Sequence, residues 1–316
     1  MKSILVIGFG AMGCRHVQSL LSHAGEYEIY VVEPSDDNIR TNTERIGATP
    51  DAFKRLRSLD ELQEKIDVAI VATSSGPRFQ IMKQLLEKGI KLFLLEKIVF
   101  QSASQFKQII ELMNKSGAKA YCNFVNRYFP AYNEVKEAIA ASTSNCTMLV
   151  HGGEFGLGCN AIHYIDIFQY INGGRELQMN DAQLLLTDTA NRRGSEYKEF
   201  TGAIGITDSN GNRLTIIAEK NFSGGITINI QCGDNQYVLS EQTQQLFAVS
   251  NDGVRVGEFA IIPTSRLTHT IVQDILSGKC RLTQVQETAD AHALLFNSFN
   301  HLIYNSSDEK NLCPIT

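Results

Sequence analysis

Two arrangements of apolar residues alternate along roughly the first 120 residues. Short apolar runs, typical of strands, cover residues 3–8, 28–32, 66–72, 91–95 and 118–124. Between several of them lie stretches with apolar residues three or four positions apart, at 14–23, 78–88 and 102–115, a spacing that indicates helices. Strands and helices in alternation predict an α/β domain with a parallel sheet.

Beyond about residue 123 the alternation stops. Strand-like runs follow one another at 182–186, 200–207, 213–219, 226–231 and 237–240. Asp208-Ser-Asn-Gly-Asn212 is typical of a hairpin turn, and helical spacing returns at 163–170 and 283–304. Because 316 residues exceed what one core holds, we predict two domains. These are an α/β domain at 1–122 and an α+β domain at 123–316, whose open, mostly antiparallel sheet is backed by helices.

A glycine-rich turn joins the first predicted strand to the first helix. Its residues are Gly8, Phe9, Gly10, Ala11, Met12 and Gly13. In a dinucleotide-binding Rossmann domain, the three glycines make the turn, admit a pyrophosphate and allow close helix packing. Glu33 ends the second strand 20 residues after Gly13, where an acid binds the ribose hydroxyls and repels a 2′-phosphate. We therefore expect NAD, and NADP less, as cofactor.

Polar residues follow the other predicted parallel strands. They are Thr73, Ser74 and Ser75, then Glu96 and Lys97, then Asn123. Ligands of open parallel sheets bind beyond the carboxyl ends of the strands, so we expect these residues to border the cofactor crevice.

Lys97 is the first candidate for chemistry. We expect the cationic nicotinamide and partial desolvation to weaken its hold on a proton, which suits an acid–base group. The alternative is a surface lysine paired with Glu96.

His163 and Asp166 form the second candidate. They share a helix face at spacing i, i+3, where a carboxylate can orient an imidazole. A glycine-rich run at 152–158 favours a site, although a structural histidine at a helix start is equally possible on these residues. Asn123, Asn126, Arg127 and Tyr128 either bind a polar substrate or serve as caps and interface groups.

Charge and cysteine content limit the partners. The chain carries 29 basic and 34 acidic residues, a net charge of −5, without a basic stripe, so we expect neither nucleic acid nor membrane as a partner. Seven scattered cysteines without a CxxC pair are interpreted as free, buried thiols. No metal site is expected. The first strand starts at Ser3 and no apolar run reaches about 18 residues, so we expect a soluble, cytoplasmic protein.

The ordered motifs resemble the glucose–fructose oxidoreductase, inositol dehydrogenase and rhizopine-catabolism family (Gfo/Idh/MocA). They are the Gly8–Gly13 turn, Ala72-Thr73, Glu96-Lys97 of a Glu-Lys-Pro motif, Asn126-Arg-Tyr-Phe-Pro130, and Gly158 to Asp166 against Asp-x-Gly-x-His-x-x-Asp. The resemblance implies a dehydrogenase of carbohydrate-like alcohols in which Lys97 and His163 are the motif lysine and histidine. It places Asn126, Arg127, Asn160, His163 and Asp166 with Lys97 at the substrate.

Three positions depart from the family pattern. Ile98 replaces the motif proline, Ser74-Ser75 replace a Pro-Asn pair, and Cys159 stands at the family aspartate, next to Asn160. Asn160 can bind substrate but cannot take a proton. The specialised segment suggests a subgroup acting on an amino-sugar or nucleotide-sugar precursor.

Two hypotheses follow. The first is an NAD-dependent dehydrogenase of a sugar-like substrate, and the second is a non-catalytic dinucleotide-binding sensor on the same fold. Since helices cover one face of the predicted antiparallel sheet, we expect a homodimer or homotetramer built on the other.

Overall fold

The protein divides into two compact units. The computed structural model describes residues 1–23, 25–140, 142–174, 176–187, 194–306, 308 and 311–316. The first unit comprises residues 1–100, 105–125 and 262–286, and the second comprises 101–104, 126–261 and 287–316.

The first unit contains a parallel sheet. Its strands are β1 (Lys2–Ile7), β2 (Tyr27–Val32), β3 (Lys54–Leu56), β4 (Val68–Val71), β5 (Leu92–Leu95) and β6 (Lys119–Cys122). Their order is β3-β2-β1-β4-β5-β6, and all described pairs are parallel. The order reverses between β1 and β4, which is the switch point where α/β sheets bind ligands.

Helices connect these strands. They are α1 (Ala11–Leu21), α2 (Asp36–Arg45), α3 (Ser75–Glu87) and α4 (Ala103–Ser116). Phe106, Ile109 and Met113 form the buried face of α4, as its apolar spacing indicates. Ser35 caps α2 by accepting a hydrogen bond from the Asn38 amide, at 3.1 Å. The parallel α/β architecture predicted for this region is confirmed.

The second unit contains a larger sheet and helices. In chain order its elements begin with α5 (Pro130–Ile139), β7 (Cys146–Gly152), α6 (Leu157–Asn172), β8 (Leu177–Leu186) and β9 (Phe200–Asp208). They continue with β10 (Arg213–Ala218), β11 (Thr227–Cys232), β12 (Asn235–Ser240), β13 (Gln245–Ser250) and β14 (Gly253–Glu258). The strand order is β14-β13-β12-β11-β7-β10-β9-β8.

Most pairs in this sheet are antiparallel, as predicted. The β7–β10 pair is parallel, and the other described neighbours run antiparallel. Asp208 Oδ1 accepts hydrogen bonds from the amides of Asn210 and Asn212, both at 2.9 Å, which closes the predicted β9–β10 hairpin. Helix α6 packs on one face of the sheet, where Met148, Val150 and other alternate residues are buried.

Two further helices follow the second sheet. Helix α7 (Thr264–Ser277) belongs to the first unit and packs on α1, whereas the sequence analysis assigned this stretch to the second domain. The amide of His269 donates to Ser19 Oγ of α1 at 3.1 Å. Helix α8 (Val285–Tyr304) runs almost entirely in the second unit. The predicted boundary at 122/123 stays a prediction.

The interpretation of all cysteines as free, buried thiols was wrong. Cys146 and Cys232 form a disulfide, because the β7–β11 register sets them directly opposite each other with Cα atoms 4.3 Å apart. Cys159 and Cys280 are only partly buried. Among the described helices, none has both the length and the hydropathy needed to cross a membrane.

Candidate functional site

The glycine turn after β1 is tightly packed on one side and open on the other. Gly8 has a φ of +86°, which L side chains rarely adopt. A Cβ on Gly13 would lie 1.9 Å from the Gly8 carbonyl oxygen, so this position requires glycine. A Cβ on Gly10 would meet nothing within 4 Å. The turn therefore leaves open space at Gly10, where a bound group can come close to the backbone.

Gly10 also forms the amino terminus of α1. It is the N-cap residue and supplies no side-chain cap, and no acidic residue lies in the first turn. The first amides of a helix have no intrahelical acceptor and lie at the positive end of its dipole. This end of α1 suits an anion such as a pyrophosphate.

Glu33 is held rigidly at the end of β2. Its side chain is buried, with 6% exposed. Oε2 accepts a hydrogen bond from the Phe9 amide and Oε1 from the Ser35 amide, each at 2.9 Å. Asn42 Nδ2 donates to the Phe9 carbonyl at 2.7 Å. Each carboxylate oxygen keeps further acceptor capacity, so Glu33 can still bind a pair of hydroxyl groups.

The residues after β4 adjoin this turn. A Cβ on Gly8 would lie 3.1 Å from the Thr73 amide nitrogen, so the two strand ends touch. Helix α3 begins at Ser75 with Ser74 as its N-cap and no side-chain cap. Thr73 Oγ1 is buried without a hydrogen-bond partner among the described residues. A second helix amino terminus thus lies beside the glycine turn.

Glu96, just after β5, is the centre of a buried polar cluster. Its Oε1 lies 3.0 Å from His16 Nε2 and accepts a hydrogen bond from Asn123 Nδ2 at 2.7 Å. His16 is fully buried on α1, and its Nδ1 lies 2.8 Å from Thr268 Oγ1 of α7. Burial raises the pKa of Glu96, but the hydrogen bonds from His16 and Asn123 and the charges of His16 and Lys97 outweigh burial and lower the pKa to about 2. Glu96 is therefore a buried, ionised carboxylate.

Arg78 fixes the backbone that carries Lys97. This fully buried residue of α3 donates to the carbonyl oxygens of Thr73, Glu96 and Ile98. Lys97 itself is partly buried. The Arg78 guanidinium thus binds the carbonyl oxygens of Glu96 and Ile98, the residues on either side of Lys97. These bonds limit the positions that the Lys97 ammonium group can reach.

Two unsatisfied buried atoms test whether a nicotinamide dinucleotide fits here. Asn123 Oδ1 is buried and has no hydrogen-bond partner within the described ranges, although Asn123 Nδ2 is bound to Glu96. Thr73 Oγ1 is likewise buried without a hydrogen-bond partner among the described residues. A buried polar atom without a partner is costly, and a ligand with amide and hydroxyl groups would satisfy both. The open Gly10 and these two atoms fit the predicted cofactor.

Arg127 and Asp166 are brought together in the second unit. Arg127 Nε and Nη2 donate to Asp166 Oδ2 and Oδ1 at 2.9 and 2.8 Å, a two-bond pair with only 2% of the Asp166 side chain exposed. The guanidinium lies 4.9 Å from the centre of the Tyr170 ring. Burial and the charge of Arg127 lower the pKa of Lys136, which lies over the same ring. The carboxylate expected to orient His163 thus binds Arg127.

The amino terminus of α6 receives a carboxylate that the sequence analysis did not identify. Glu199 accepts hydrogen bonds from the amides of Gly158, at 2.9 Å, and Cys159, at 3.1 Å. Asn160 Nδ2 donates to the Phe155 carbonyl at 2.5 Å. His163, one turn further along α6, is partly buried. Asn126 is also partly buried, and its backbone carbonyl oxygen accepts a hydrogen bond from the Phe129 amide at 3.0 Å.

The predicted site residues fall into one group in each unit. The first unit brings together the glycine turn, Glu33, Thr73 to Ser75, Glu96, Lys97 and Asn123, and the second holds Asn126, Arg127, Asn160, His163 and Asp166. Their functional roles stay predictions. Sequence reasoning missed His16, Arg78 and Glu199. A polar residue inside the apolar face of α1 was the one available signal for His16. The partners of His16 and Glu199, and most acceptors of Arg78, are distant in sequence.

Clusters suited to a metal ion are absent from the parts of the chain that the structure describes. No group of three or more histidine, cysteine, aspartate or glutamate side chains has the required arrangement.

Comparisons with known proteins support this interpretation of the first unit. Residues 2–124 match the model of the GFO_IDH_MocA family, described as an oxidoreductase family with an NAD-binding Rossmann fold. Inositol 2-dehydrogenase of Rubrobacter xylanophilus is 26% identical over 151 residues, which is 46% of this chain and 42% of that protein. The match therefore spans less than half of that relative.

Solved structures extend the likeness to nearly the whole chain. An Agrobacterium radiobacter oxidoreductase in complex with NAD+, L-tartaric acid and magnesium has a TM-score of 0.74 and 14% identity, covering 96% of this chain and 97% of that one. A super-repressor mutant of Gal80p from Saccharomyces cerevisiae has a TM-score of 0.73 and 14% identity, covering 96% of both chains. At these identities the likeness establishes the fold alone.

Proposed function

We propose that the chain is an NAD-dependent dehydrogenase of the Gfo/Idh/MocA oxidoreductase family, whose model matches residues 2–124. It transfers a hydride between nicotinamide and a hydroxyl or keto group of a carbohydrate-like substrate. The observation that carries this proposal is the position of Lys97, partly buried beside the ionised Glu96 at the end of β5, in the same unit as the glycine turn.

The residues that would hold the cofactor follow from their contacts. The amides at the start of α1, with Gly8 to Gly13, would bind the pyrophosphate. Glu33 would accept the ribose hydroxyls, and Thr73 to Ser75 would line the other side. Asn123, through its unsatisfied Oδ1, would bind the carboxamide. When bound, the nicotinamide donates or accepts the hydride, and Lys97 would move the accompanying proton at the substrate oxygen.

His163 is the proposed second group at the reacting hydroxyl. Asn126, Arg127 and Asn160 are the proposed substrate contacts. Because both oxygens of Asp166 bind Arg127, Asp166 would act by holding that guanidinium for a polar substrate.

The proposed substrates are sugars, cyclitols and nucleotide sugars, including amino-sugar precursors. The matched relative is an inositol 2-dehydrogenase, which supports a polyhydroxylated ring. A non-catalytic dinucleotide sensor is the second candidate, and the likeness to Gal80p is the observation that favours it. Both Lys97 and His163 are present, which favours the enzyme.

Spectrophotometry tests the enzyme against the sensor. The protein is incubated with NAD and a panel of polyols, inositols and nucleotide sugars, and NADH absorbance is followed. Lys97→Met should lower turnover on the active compound by about 10² to 10⁴, the usual contribution of a positioned acid–base group. Cofactor affinity should stay nearly unchanged. Tight NAD binding without turnover on any compound would favour the sensor, and full turnover by Lys97→Met would remove this lysine from the mechanism.

Cofactor choice has its own test. Glu33 would repel a 2′-phosphate, so NADH should bind more tightly than NADPH, and Glu33→Ser should narrow the difference. Fluorescence titration with each reduced cofactor measures this. Stronger NADPH binding by the unchanged protein would contradict the assignment.

The proposed assembly is a homodimer or homotetramer that covers the outer face of the second sheet. The strand register aligns Leu149, Val238, Phe247 and Val256 across that face, and Leu149 and Val256 are 38% and 59% exposed. Light scattering at micromolar concentration should report more than one copy, and Val256→Glu should shift the protein toward monomer. A monomeric unchanged protein would contradict this proposal.

A further inference from the structure

The Cys146–Cys232 disulfide lies at the centre of the second sheet. The strand order puts β14, β13, β12 and β11 on one side of it and β7, β10, β9 and β8 on the other. The bond joins the first residue of β7 to the last residue of β11, so it crosses the junction between these two halves. It also closes a separation of 86 residues. The state of this bond therefore bears on how firmly the two halves of the sheet are joined.

A polar surface cleft leads to the disulfide. Both cysteines line this cleft, which has a volume of about 300 Å³. The ends of α5 and α6, the segment 142–145 and the β9–β10 hairpin form the rest of its wall. Hydroxyl and amide side chains predominate there, and none of the described lining residues is charged. Cys146 is 5% exposed and Cys232 is 1% exposed. The cleft therefore suits a small, neutral thiol, and Cys146 is the more accessible of the two cysteines.

The backbone around the disulfide is held by bonds that do not involve sulfur. Six residues of β7 pair with six residues of β11, and Cys146 and Cys232 are one of these pairs. The Cys146 amide also donates to Asn212 Oδ1 at 2.7 Å, and Asn212 Nδ2 donates in turn to Asp208 Oδ2 at 2.8 Å. Reduction would therefore leave the two sulfur atoms side by side, so that the disulfide can form again.

A hydrogen-bond acceptor for the reduced form is already in place. The Ser144 carbonyl oxygen lies 3.5 Å from Cys232 Sγ and 3.9 Å from Cys146 Sγ. A thiol is a weak hydrogen-bond donor, whereas a carbonyl oxygen only accepts. A thiol at Cys232 could donate to Ser144 from its present position. The surroundings thus accommodate both the disulfide and the pair of thiols.

We propose that Cys146 and Cys232 form a reversible thiol–disulfide exchange site, which small thiols reach through the cleft and whose oxidation state sets the stability of the second sheet. This proposal does not depend on the proposed function, because it involves neither a dinucleotide nor the residues assigned to hydride transfer.

The exchange takes place in two steps. In the first, the thiolate of a small thiol attacks Cys146 Sγ and forms a mixed disulfide. The Cys146–Cys232 bond breaks, and Cys232 leaves as a thiolate that takes a proton from solvent. In the second step another small thiol attacks the mixed disulfide, so that Cys146 is released as a thiol and the two small molecules leave as their own disulfide. The protein gains two electrons and two protons, and the two small thiols lose them.

Alkylation measures whether the native protein takes part in this exchange. The unchanged protein is incubated with 2-mercaptoethanol without denaturant and then treated with iodoacetamide, and its peptides are identified by mass spectrometry. Cys146 and Cys232 should be unlabelled before this incubation and labelled after it. Reduction that occurs only in denaturant would overturn the exchange site.

The point of attack has its own measurement. With the disulfide of 2-mercaptoethanol, Cys232→Ser should form a mixed disulfide at Cys146. Cys146→Ser should form one at Cys232 more slowly, because Cys232 is the less exposed cysteine. Faster reaction at Cys232 would overturn the assignment of Cys146 as the sulfur that is attacked.

Thermal unfolding measures the effect on the sheet. Losing a cross-link across 86 residues should lower the midpoint of unfolding by about 10 °C. Treatment with 2-mercaptoethanol should produce this shift in the unchanged protein. The double variant Cys146→Ala/Cys232→Ala should start at the lower midpoint and no longer respond. Cys280→Ala, which changes a cysteine outside the pair, is the matched control and should keep the full response.

The results decide the proposal whether or not the protein oxidises any compound. An unchanged midpoint after reduction has been verified by labelling would overturn the effect on the sheet. An equal response to 2-mercaptoethanol in the double variant would overturn it as well. Should the double variant fail to fold, labelling and unfolding of the unchanged protein still give the answer.

Discussion

Two buried carboxyl groups, one in each unit, respond to burial in opposite ways. Burial raises the pKa of Glu96, yet hydrogen bonds from His16 and Asn123, with the nearby cations, bring it down to about 2. Burial also raises the pKa of Glu241, and there the hydrogen bond from the neutral Tyr164 hydroxyl, at 3.1 Å, does not reverse the effect. Burial alone therefore does not decide the charge of a carboxyl group. The hydrogen bonds and nearby charges around Glu96 lower its pKa, whereas the single hydroxyl donor at Glu241 leaves its pKa raised.

Two buried tyrosines, Tyr132 and Tyr164, interact with Glu241. Tyr132 is fully buried, and its hydroxyl has no hydrogen-bond partner among the residues described. Burial and the charge of Glu241 raise the pKa of both Tyr132 and Tyr164. Burial therefore dominates the pKa values of this cluster, whereas hydrogen bonds and nearby charges dominate the pKa of Glu96.

Removing one partner at each carboxyl group gives the largest expected effect on stability. His16→Ala removes the side chain whose hydrogen bond lowers the pKa of Glu96, and removing the partner of a buried, ionised carboxylate costs about 3–5 kcal/mol of unfolding free energy. Tyr164→Phe removes one neutral hydrogen bond and should cost about 1–2 kcal/mol. Denaturant unfolding at pH 7 measures both. Equal losses in the two variants would mean that the two carboxyl groups do not differ as described.

As the pH falls, ionisation of Glu96 and of Glu241 should change the unfolding free energy in opposite directions. Folding lowers the pKa of Glu96 from 4.5 to about 2, so its contribution is complete above about pH 4.5 and is lost as the pH falls toward 2. The full contribution is about 3 kcal/mol at 1.4 kcal/mol per unit. Folding raises the pKa of Glu241, so its contribution is present below 4.5 and is lost as the pH rises through its raised pKa. Unfolding curves from pH 7 to pH 3 should therefore become flatter for Glu96→Gln and steeper for Glu241→Gln.

The smallest expected effect is that of Glu241→Gln near neutral pH. Above its raised pKa, Glu241 must hold a charge that burial disfavours, and a neutral amide of the same shape avoids that cost. The variant should be more stable than the unchanged protein by about 1 kcal/mol or less at pH 8. Glu96→Gln at the same pH should be less stable. A loss of stability in both variants would show that Glu241 is stabilised in its ionised form.

Local patterns were enough to predict the glycine turn. Gly8, Gly13 and Glu33 lie within one strand–helix–strand unit, whose geometry is fixed by short-range rules, and the structure shows the turn, the close approach and the buried acid. The alternation of strand and helix likewise predicted the parallel sheet, and the Asp208–Asn212 sequence predicted the β9–β10 hairpin of the second sheet. These features depend on residues close together in the chain.

Long-range pairings were not predicted. His16 and Glu96 are 80 residues apart, Arg127 and Asp166 are 39 apart, and Cys146 and Cys232 are 86 apart. The spacing of His163 and Asp166 suggested a local pair, but a guanidinium makes two charge-assisted bonds with a carboxylate, and Arg127 took both oxygens. Which residues meet across such distances depends on strand order and register, which a single sequence does not specify.

The origin of α7 determines when the first unit can be completed during synthesis. Its parallel sheet and α1 come from the first 125 residues, but Thr268, the hydrogen-bond partner of His16 Nδ1, emerges only some 250 residues after His16. Until then α1 lacks the helix that covers its buried Ser19 and His16. A nascent chain would therefore have to keep this surface from aggregating, and closing so long a loop is an intrinsically slow step. A fragment that ends at residue 125 keeps every strand of the parallel sheet but not the partner that satisfies its buried histidine.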